Sequence, residues 1–178
     1  MEGDELRRII SRMAHEVVEK NGGIEGLSLV GIRSRGAYLV RRIAQKIETI
    51  TGVLLPVGII DITAYRDDIG SREKGALSFR EQVSVAIDDR TVVLVDDVIY
   101  TGRTVRAALD LLGDLGKPKK ILVAILIDRG ERELPIKADI VGKNVRVEDF
   151  ERVKVLLEES DGVDQVTVTK VGNTGRRI

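Results

Sequence analysis

The chain has 178 residues, enough for one domain with a substantial core and too few for two ordinary domains. Its 29 basic and 29 acidic residues cancel, which argues against non-specific coating of nucleic acid but leaves one basic face possible. The absence of cysteine and the single histidine exclude disulfides, thiolate zinc sites and multi-histidine metal clusters. Because no apolar run approaches the roughly 18 residues of a membrane span and no secretory signal is present, we expect a soluble cytoplasmic protein.

Helices and strands alternate along the first part of the chain. Apolar residues at helical spacing predict a first helix from Asp4, its N-cap, to about Asn21, ended by Gly22-Gly23. The predicted buried stripe of this helix is Leu6, Ile9, Ile10, Met13 and Val17. The elements predicted next are a strand over 27–32, a turn over 33–36, a helix over 37–51 and a strand over 53–62.

The alternation continues after a polar segment. Residues 64–89 lose regular periodicity, and the charged stretch 67–74 with Gly70 predicts an exposed, mobile loop or hairpin tip. The elements predicted next are a strand over 91–95, a helix over 103–115, a strand over 121–127 and short strands at 139–141, 153–157 and 163–171.

This order of elements predicts an α/β fold, an open and mainly parallel sheet flanked by helices, in a single domain over residues 1–178. Ligands of such sheets bind beyond the carboxyl ends of the strands. Three loops therefore border one predicted crevice, at residues 33–36, 96–104 and 128–132.

The most informative segment joins a buried strand to the next helix. The strand ends at two adjacent carboxylates, Asp96 and Asp97. A turn with Thr101, Gly102 and Thr104 then opens the helix, where backbone N–H groups and the helix dipole favour an anion. The carboxylates repel phosphate, but they accept hydrogen bonds from sugar hydroxyls or hold a divalent cation. A ribose phosphate site is therefore predicted; two aspartates that only cap a turn are the alternative.

This segment resembles the phosphoribosyl pyrophosphate (PRPP) motif of type I phosphoribosyltransferases, in which an apolar strand is followed by two acids and Thr-Gly-x-Thr. Further stretches are similar to one bacterial family of that class, the bifunctional pyrimidine-operon attenuation proteins and uracil phosphoribosyltransferases. These stretches are 11–16, 30–36, 61–68, 128–136 and 142–144. The resemblance extends over about residues 6–158 and implies the type I fold, with a mobile hairpin loop and a small hood.

The resemblance implies transfer of ribose 5-phosphate from PRPP to uracil, which yields uridine monophosphate (UMP) and pyrophosphate with Mg²⁺ as cofactor. Asp96, Asp97 and Arg35 are then catalytic, and the two aspartates also hold the metal, directly or through water. The substrate-binding residues implied are Ser34, Arg35, Gly36, Tyr65, Arg66, Val98, Ile99, Tyr100, Thr101, Gly102, Arg103, Thr104, Asp128 and Arg129. For Arg33 and Arg35, a solvated surface pair remains the alternative.

The resemblance also implies binding of a stem-loop in pyrimidine-operon messenger RNA, with transcription termination when uridine nucleotides, the implied effectors, are abundant. The RNA-binding residues implied are Arg8, Ser11, Arg12, His15, Lys20, Ser34, Arg132, Lys137 and Lys143. Judged on the first helix alone, a solvated face is favoured, because Glu16 and Glu19 dilute its positive potential. Glu131 further places an acid where some members of the family carry histidine.

Two other functions stay open at this level. The chain could be a phosphoribosyltransferase for another base without an RNA role, because residue spacing does not separate uracil from other bases. It could also be a regulator that senses nucleotides in the crevice with negligible turnover. By resemblance, we further expect a homodimer or a higher homo-oligomer.

Overall fold

The computed structural model describes residues 1–65 and 85–170. Arg66 and the whole loop predicted at residues 67–74 lie outside these residues. The helices are α1 (Gly3–Asn21), α2 (Arg35–Thr51), α3 (Arg103–Leu115) and α4 (Glu158–Asp161), with a 3₁₀ turn at Thr63–Tyr65. The strands are β1 (Leu27–Ile32), β2 (Val57–Ile60), β3 (Thr91–Ile99), β4 (Lys120–Asp128), β5 (Ile140–Asn144), β6 (Glu151–Leu156) and β7 (Gln165–Lys170).

Five of these strands form one parallel sheet in the order β2-β1-β3-β4-β5. The predicted open parallel sheet is thus confirmed. Because all five strands run the same way, their carboxyl ends share one edge of the sheet, where ligands of such folds bind. β3 is the central strand, and the residues that follow it are flanked by the loops after β1 and β4.

The sheet is covered on both faces. Val93 and Val95 of β3 belong to an apolar cluster with α1 and α2, whereas Val92 and Leu94 belong to a second cluster with α3. This division follows from the strand period, since consecutive side chains point to opposite faces. A strand that is buried on both sides requires the continuous apolar run that the sequence shows. Within the described ranges, no helix is long and apolar enough to cross a membrane.

A second, antiparallel sheet of β6 and β7 stands apart from the main one. The N-terminus of the chain joins it, because Glu2 bridges Gln165 and the amino group of Met1 donates to the Val166 carbonyl at 3.0 Å. This sheet and α4, residues 151–170, correspond to the expected small hood, and we call them the hood.

Two predicted boundaries of the first elements are wrong. Asp4 does not cap α1: the N-cap position is Glu2, which makes no side-chain cap bond, while Asp4 lies in the first turn and pairs with Arg7. The strand predicted over 53–62 is limited to β2, since Leu54 is 69% exposed and Pro56 has no N–H to donate to a ladder.

The third boundary difference concerns the acidic pair. The strand predicted to end at Val95 continues to Ile99, so Asp96 and Asp97 lie inside β3 rather than after it. The ladder with β4 extends past them, with Asp96 opposite Ile125 and Ile99 opposite Asp128. Both carboxylates are therefore fixed by sheet backbone and not by a turn.

Candidate active site

The acidic pair lies in a water-poor environment at the carboxyl end of β3. Asp96 is 6% exposed, and its Oδ1 accepts the Asp97 N–H at 2.9 Å. Burial raises the pKa of Asp96 well above its ordinary value, and the neighbouring charge of Asp97 raises it further. Burial also raises the pKa of Asp97, an effect that hydrogen bonds and the charge of Arg35 partly offset. Two desolvated carboxylates this close are stabilised by a ligand that brings hydroxyl donors or positive charge.

The predicted phosphate turn stands at the first turn of α3. Gly102 adopts a left-handed φ of 92°, which other residues rarely adopt, and it directly precedes the helix. The Thr101 carbonyl accepts the N–H groups of Glu133 and Leu134, both at 3.1 Å, so the segment after β4 holds the turn in place. The positive end of the α3 dipole thus opens beside the acidic pair, as an anion site requires.

The loop after β1 approaches the acidic pair from the other side. Ser34 occupies the N-cap position of α2, and the peptide bond between Arg33 and Ser34 is cis. Arg35, the first residue of α2, is near enough to Asp97 to lower its pKa by charge. Gly36 follows with its backbone against β3. The predicted substrate-binding residues 34–36 therefore flank the two carboxylates.

Two arginines of the loop after β4 hold this loop against Tyr100, next to the crevice. Arg132 donates to the carbonyls of Tyr100, Gly130 and Ile136 at 2.9, 3.1 and 3.0 Å. It also pairs with Asp128 at 2.6 Å. Arg129 is 9% exposed and stacks on the Tyr100 ring, with its central carbon 3.8 Å from the ring centroid. These contacts fix the residues just before the phosphate turn.

Tyr65 does not lie with these residues. Its hydroxyl donates to Asp114 Oδ2 at 2.8 Å, and burial together with that carboxylate raises the pKa of Tyr65 to about 12. Asp114 lies in the last turn of α3, about 18 Å along the helix from the turn at Gly102. The structure thus brings together the predicted residues of 34–36, 96–104 and 128–129 but leaves the Tyr65 hydroxyl apart, and Arg66 is outside the described residues.

Two acidic residues of this region were not predicted from the sequence. Glu133 pairs with Arg103 at 2.7 Å, and Asp161 of the hood pairs with Arg35 at 3.1 Å. The partners are 30 and 126 positions apart in the chain, so no local pattern marks them. Both acids pair with arginines that the resemblance places among the substrate-binding residues.

The donor set at the acidic pair fits Mg²⁺. Among the described residues, no group of three or more His, Cys, Asp or Glu side chains could hold a metal ion. Mg²⁺ is commonly bound by one or two carboxylates together with oxygen atoms of a phosphorylated substrate and water. Asp96 and Asp97 supply such a pair, and the remaining ligands would come with the substrate.

Four of the predicted RNA-binding residues of α1, Arg8, Ser11, Arg12 and His15, lie on one side of the helix, next to the end of β5. Arg8, Arg12, His15 and Lys20 are exposed and Ser11 is half-buried. Arg12 donates to the Val141 carbonyl at 3.0 Å and also to the carbonyl of Gly142. Lys143 of β5 pairs with Glu5 of α1 at 2.5 Å. We call this surface, Arg8, Ser11, Arg12, His15 and Lys143, the α1 face; the exposed Lys20 lies about 140° around the helix from His15 and outside this face.

The other predicted RNA-binding residues lie elsewhere or are engaged. Lys137 is exposed. The N–H groups of Arg132 donate to backbone carbonyls and to Asp128, so this arginine primarily stabilises the loop after β4. Ser34 lines a cavity of about 400 Å³ beside Arg33 and Asp61, at the start of α2. Glu131 accepts from Arg129 at 3.3 Å, which neutralises part of its charge.

Comparisons with known proteins show the family of the chain. A model of the phosphoribosyl transferase domain matches residues 2–156. The bifunctional protein PyrR of Chloroflexus aurantiacus is 53% identical over 96% of this chain and 93% of its own. The bifunctional protein PyrR of Deinococcus radiodurans is 51% identical over 93% and 91%.

Solved structures show the same fold at low sequence identity. The hypoxanthine phosphoribosyltransferase of Trypanosoma cruzi aligns with a TM-score of 0.71 at 16% identity, over 96% of this chain and 94% of its own. The enzyme named hypoxanthine phosphoribosyltransferase from Staphylococcus aureus gives a TM-score of 0.64 at 21% identity, over 83% and 76%. At these identities the likeness concerns the fold alone.

Proposed function

The chain belongs to the phosphoribosyltransferase family and, within it, to the bifunctional PyrR proteins, and from this premise we propose how its crevice and its α1 face divide two functions. It is an RNA-binding attenuator of pyrimidine biosynthesis operons. It is also a uracil phosphoribosyltransferase, a pentosyl transferase that converts uracil and PRPP to UMP and pyrophosphate.

The crevice at the carboxyl end of β3 binds the phosphoribosyl group. The observation that carries this assignment is the pair of the buried Asp96 and the half-buried Asp97 in β3, a few residues before the anion site at Gly102. The carboxylates accept the ribose hydroxyls, while the backbone N–H groups and hydroxyls of Thr101 and Thr104 hold the 5-phosphate. The segment at Asp128 and Arg129 adjoins the crevice and is our candidate for the base contact, with uracil as the base.

Catalysis in this crevice is positioning combined with electrostatics. As the bond from ribose to pyrophosphate breaks, positive charge develops on the ribose, and the carboxylates of Asp96 and Asp97 stabilise it. The guanidinium of Arg35 stabilises the negative charge of the leaving pyrophosphate. Bound Mg²⁺, held by the two aspartates directly or through water, would supply further positive charge to the phosphate oxygens. No protein nucleophile is needed.

The α1 face binds the messenger RNA stem-loop. Its exposed arginines, lysine and histidine present positive charge and hydrogen-bond donors to phosphates and splayed bases. Uridine nucleotides in the crevice act as effectors of this binding. We further propose that the protein works in the cytoplasm as a homodimer or a higher homo-oligomer, in which copies of the face lie side by side.

A base-selectivity assay tests the enzymatic half of this proposal. The protein is incubated with PRPP, Mg²⁺ and, separately, uracil, orotate, hypoxanthine or guanine, and pyrophosphate release is measured. Turnover with uracil alone is expected. Turnover with another base would favour a phosphoribosyltransferase specific for that base. Absence of turnover while UMP still binds would favour a regulator that only senses nucleotides.

A gel-shift assay tests the regulatory half. A stem-loop from a pyrimidine-operon leader is titrated with the protein, with and without UMP, at fixed salt because phosphate contacts are salt-dependent. We expect tighter binding of the stem-loop than of a shuffled sequence of equal length, and a further gain with UMP. Equal affinity for both sequences would contradict an attenuator.

A further inference from the structure

Arg35, the proposed pyrophosphate contact, is held by a carboxylate of the hood. Its Nη2 donates to Oδ1 and Oδ2 of Asp161 at 3.1 and 3.3 Å. The two side chains are only 28% and 20% exposed, so the pair is shielded from water more than an ordinary surface ion pair. The hood thus reaches the loop that flanks the acidic pair.

The carboxylate of Asp161 has a fixed orientation and a stable charge. Its Oδ2 accepts the Leu157 N–H at 3.0 Å and the Ser160 hydroxyl at 2.7 Å. These hydrogen bonds, the backbone bond first, lower the pKa of Asp161 below its ordinary value. A partner that is both charged and immobile restricts the rotamers open to Arg35.

One N–H donor of Arg35 has no partner among the described residues. A guanidinium has five N–H donors, and Asp161 occupies those of Nη2. The Nε of Arg35 is buried and has no hydrogen-bond acceptor within the described part of the chain. The same side chain acts by charge on Asp97. Arg35 therefore lies between Asp161 of the hood and Asp97 of the crevice. Its Nε–H is a donor that an oxygen atom of a ligand could accept from.

We propose that Asp161 is a positioning residue for the reaction: it holds the guanidinium of Arg35 so that the unoccupied donors meet the pyrophosphate of PRPP. This inference rests on the proposed function. An arginine fixed before binding loses less rotamer freedom when the ligand arrives, so the ion pair increases affinity for ligands that carry pyrophosphate. UMP carries no pyrophosphate and gains nothing from it.

A second arginine of α2 also pairs with carboxylates of the hood, and it serves as a structural ion pair with which the pair of Arg35 and Asp161 can be compared. Arg42 lies seven residues, about two helical turns, after Arg35 and on the same side of α2. It contacts Glu159 Oε1 at 2.8 Å and Asp164 Oδ1 at 2.7 Å, and these acids also belong to the hood. Glu159→Gln therefore weakens the contact of the hood with α2 but leaves the partner of Arg35 in place.

Calorimetric binding of three ligands to two variants tests the proposal, with Mg²⁺ present throughout. Asp161→Asn keeps an oxygen for the Leu157 N–H but loses the charge that holds Arg35. We expect it to bind PRPP and pyrophosphate about tenfold more weakly, while UMP affinity stays within about twofold. Glu159→Gln should leave all three affinities within about twofold. In the uracil reaction, Asp161→Asn should raise KM for PRPP and leave KM for uracil unchanged.

Other outcomes overturn the proposal. Unchanged or tighter PRPP binding by Asp161→Asn would mean that Asp161 restrains Arg35 rather than positions it, and equal weakening of PRPP and UMP would indicate a structural role. If Asp161→Asn fails to fold, Ser160→Ala gives the same test, with an expected two- to threefold selective weakening. Failure of the wild-type protein to bind PRPP at all would instead reject the proposed function.

Discussion

The backbone of Gly36 lies directly against the carbonyl oxygen of Val95. A Cβ atom at Gly36 would be 2.6 Å from that oxygen and 3.3 Å from Asp96 Oδ1. The first turn of α2 therefore touches β3 immediately before the acidic pair. This approach brings residues 34–36, which include the proposed pyrophosphate contact Arg35, to the same end of the crevice as the carboxylates.

Replacement of Gly36 by alanine should displace this loop. Because both colliding groups are fixed, we expect Gly36→Ala to lower the free energy of unfolding by about 2–3 kcal/mol. Uracil turnover should fall by about 100-fold, since small misplacements near reacting groups are costly. Gly113→Ala in α3 is the control, because a Cβ there meets no atom within 4 Å. It should be neutral or stabilising by up to about 1 kcal/mol in urea unfolding.

Removal of one carboxylate charge should separate the two functions. Asp97→Asn keeps the shape of the side chain but cannot stabilise positive charge on the ribose, so we expect turnover to drop by about 100- to 1,000-fold. RNA affinity without nucleotide should stay within about twofold. Asp114→Asn makes the same change at the far end of α3, where the side chain contacts Tyr65, and should retain turnover. Near-full activity of Asp97→Asn would reject the proposed role of the acidic pair.

The sequence predicted the elements that local signals define. Helix α3 was predicted with its observed limits, because Gly102 and Gly116 bound an amphipathic run, and β1 was predicted from its continuous apolar residues. The continuation of β3 through Asp96 and Asp97 was missed, since paired carboxylates are atypical of a buried strand. Here the ladder with β4 overrides local preference.

The site was predictable only in part, for a related reason. The residues of the PRPP motif are contiguous in the chain, so the anion turn beside two carboxylates could be deduced from one segment. The pair of Arg35 with Asp161 and the contacts of Arg132 with the Tyr100 carbonyl join distant segments. Such contacts depend on how the hood packs against α2 and how the loop after β4 packs against the end of β3, and no local sequence pattern predicts this packing.

Truncation of His15 gives the cleaner test of the α1 face. His15 is exposed, whereas Arg12 also donates to the Val141 carbonyl and so ties α1 to β5. We expect His15→Ala to weaken stem-loop binding about 3- to 10-fold with no change in uracil turnover or unfolding midpoint. Arg12→Ala should weaken binding more and also lower stability by about 1 kcal/mol.

The control for both variants is Lys119→Ala. Lys119 is exposed just before β4, at the edge of the sheet opposite the crevice. The substitution Lys119→Ala removes one positive charge and should leave stem-loop affinity unchanged within about twofold at fixed salt. Parallel losses of RNA binding and turnover in His15→Ala would show that α1 serves the fold instead.

The ion pairs of Arg42 should make the hood sensitive to acid. Hydrogen bonds from Arg42, the largest cause in each case, lower the pKa of Asp164 and of Glu159 below their ordinary values. A carboxyl whose pKa is lower in the folded than in the unfolded state stabilises the fold above its unfolded pKa, near 4. This stabilisation is lost as the pH falls through the lowered, folded-state pKa.

Arg42→Met should therefore destabilise the protein mainly at neutral pH. At pH 7 it leaves the carboxylates of Asp164 and Glu159 without their cation, and since the pairs are partly exposed we expect a loss of about 2 kcal/mol. As the pH falls through their lowered folded-state pKa values both acids become neutral, so the difference from wild type in urea unfolding should be smaller at acid pH than at pH 7. Arg106→Met, which breaks an exposed pair with Asp110, should change stability little at either pH. A loss for Arg42→Met that is equal at both pH values would show that its alkyl packing, not its charge, holds the hood.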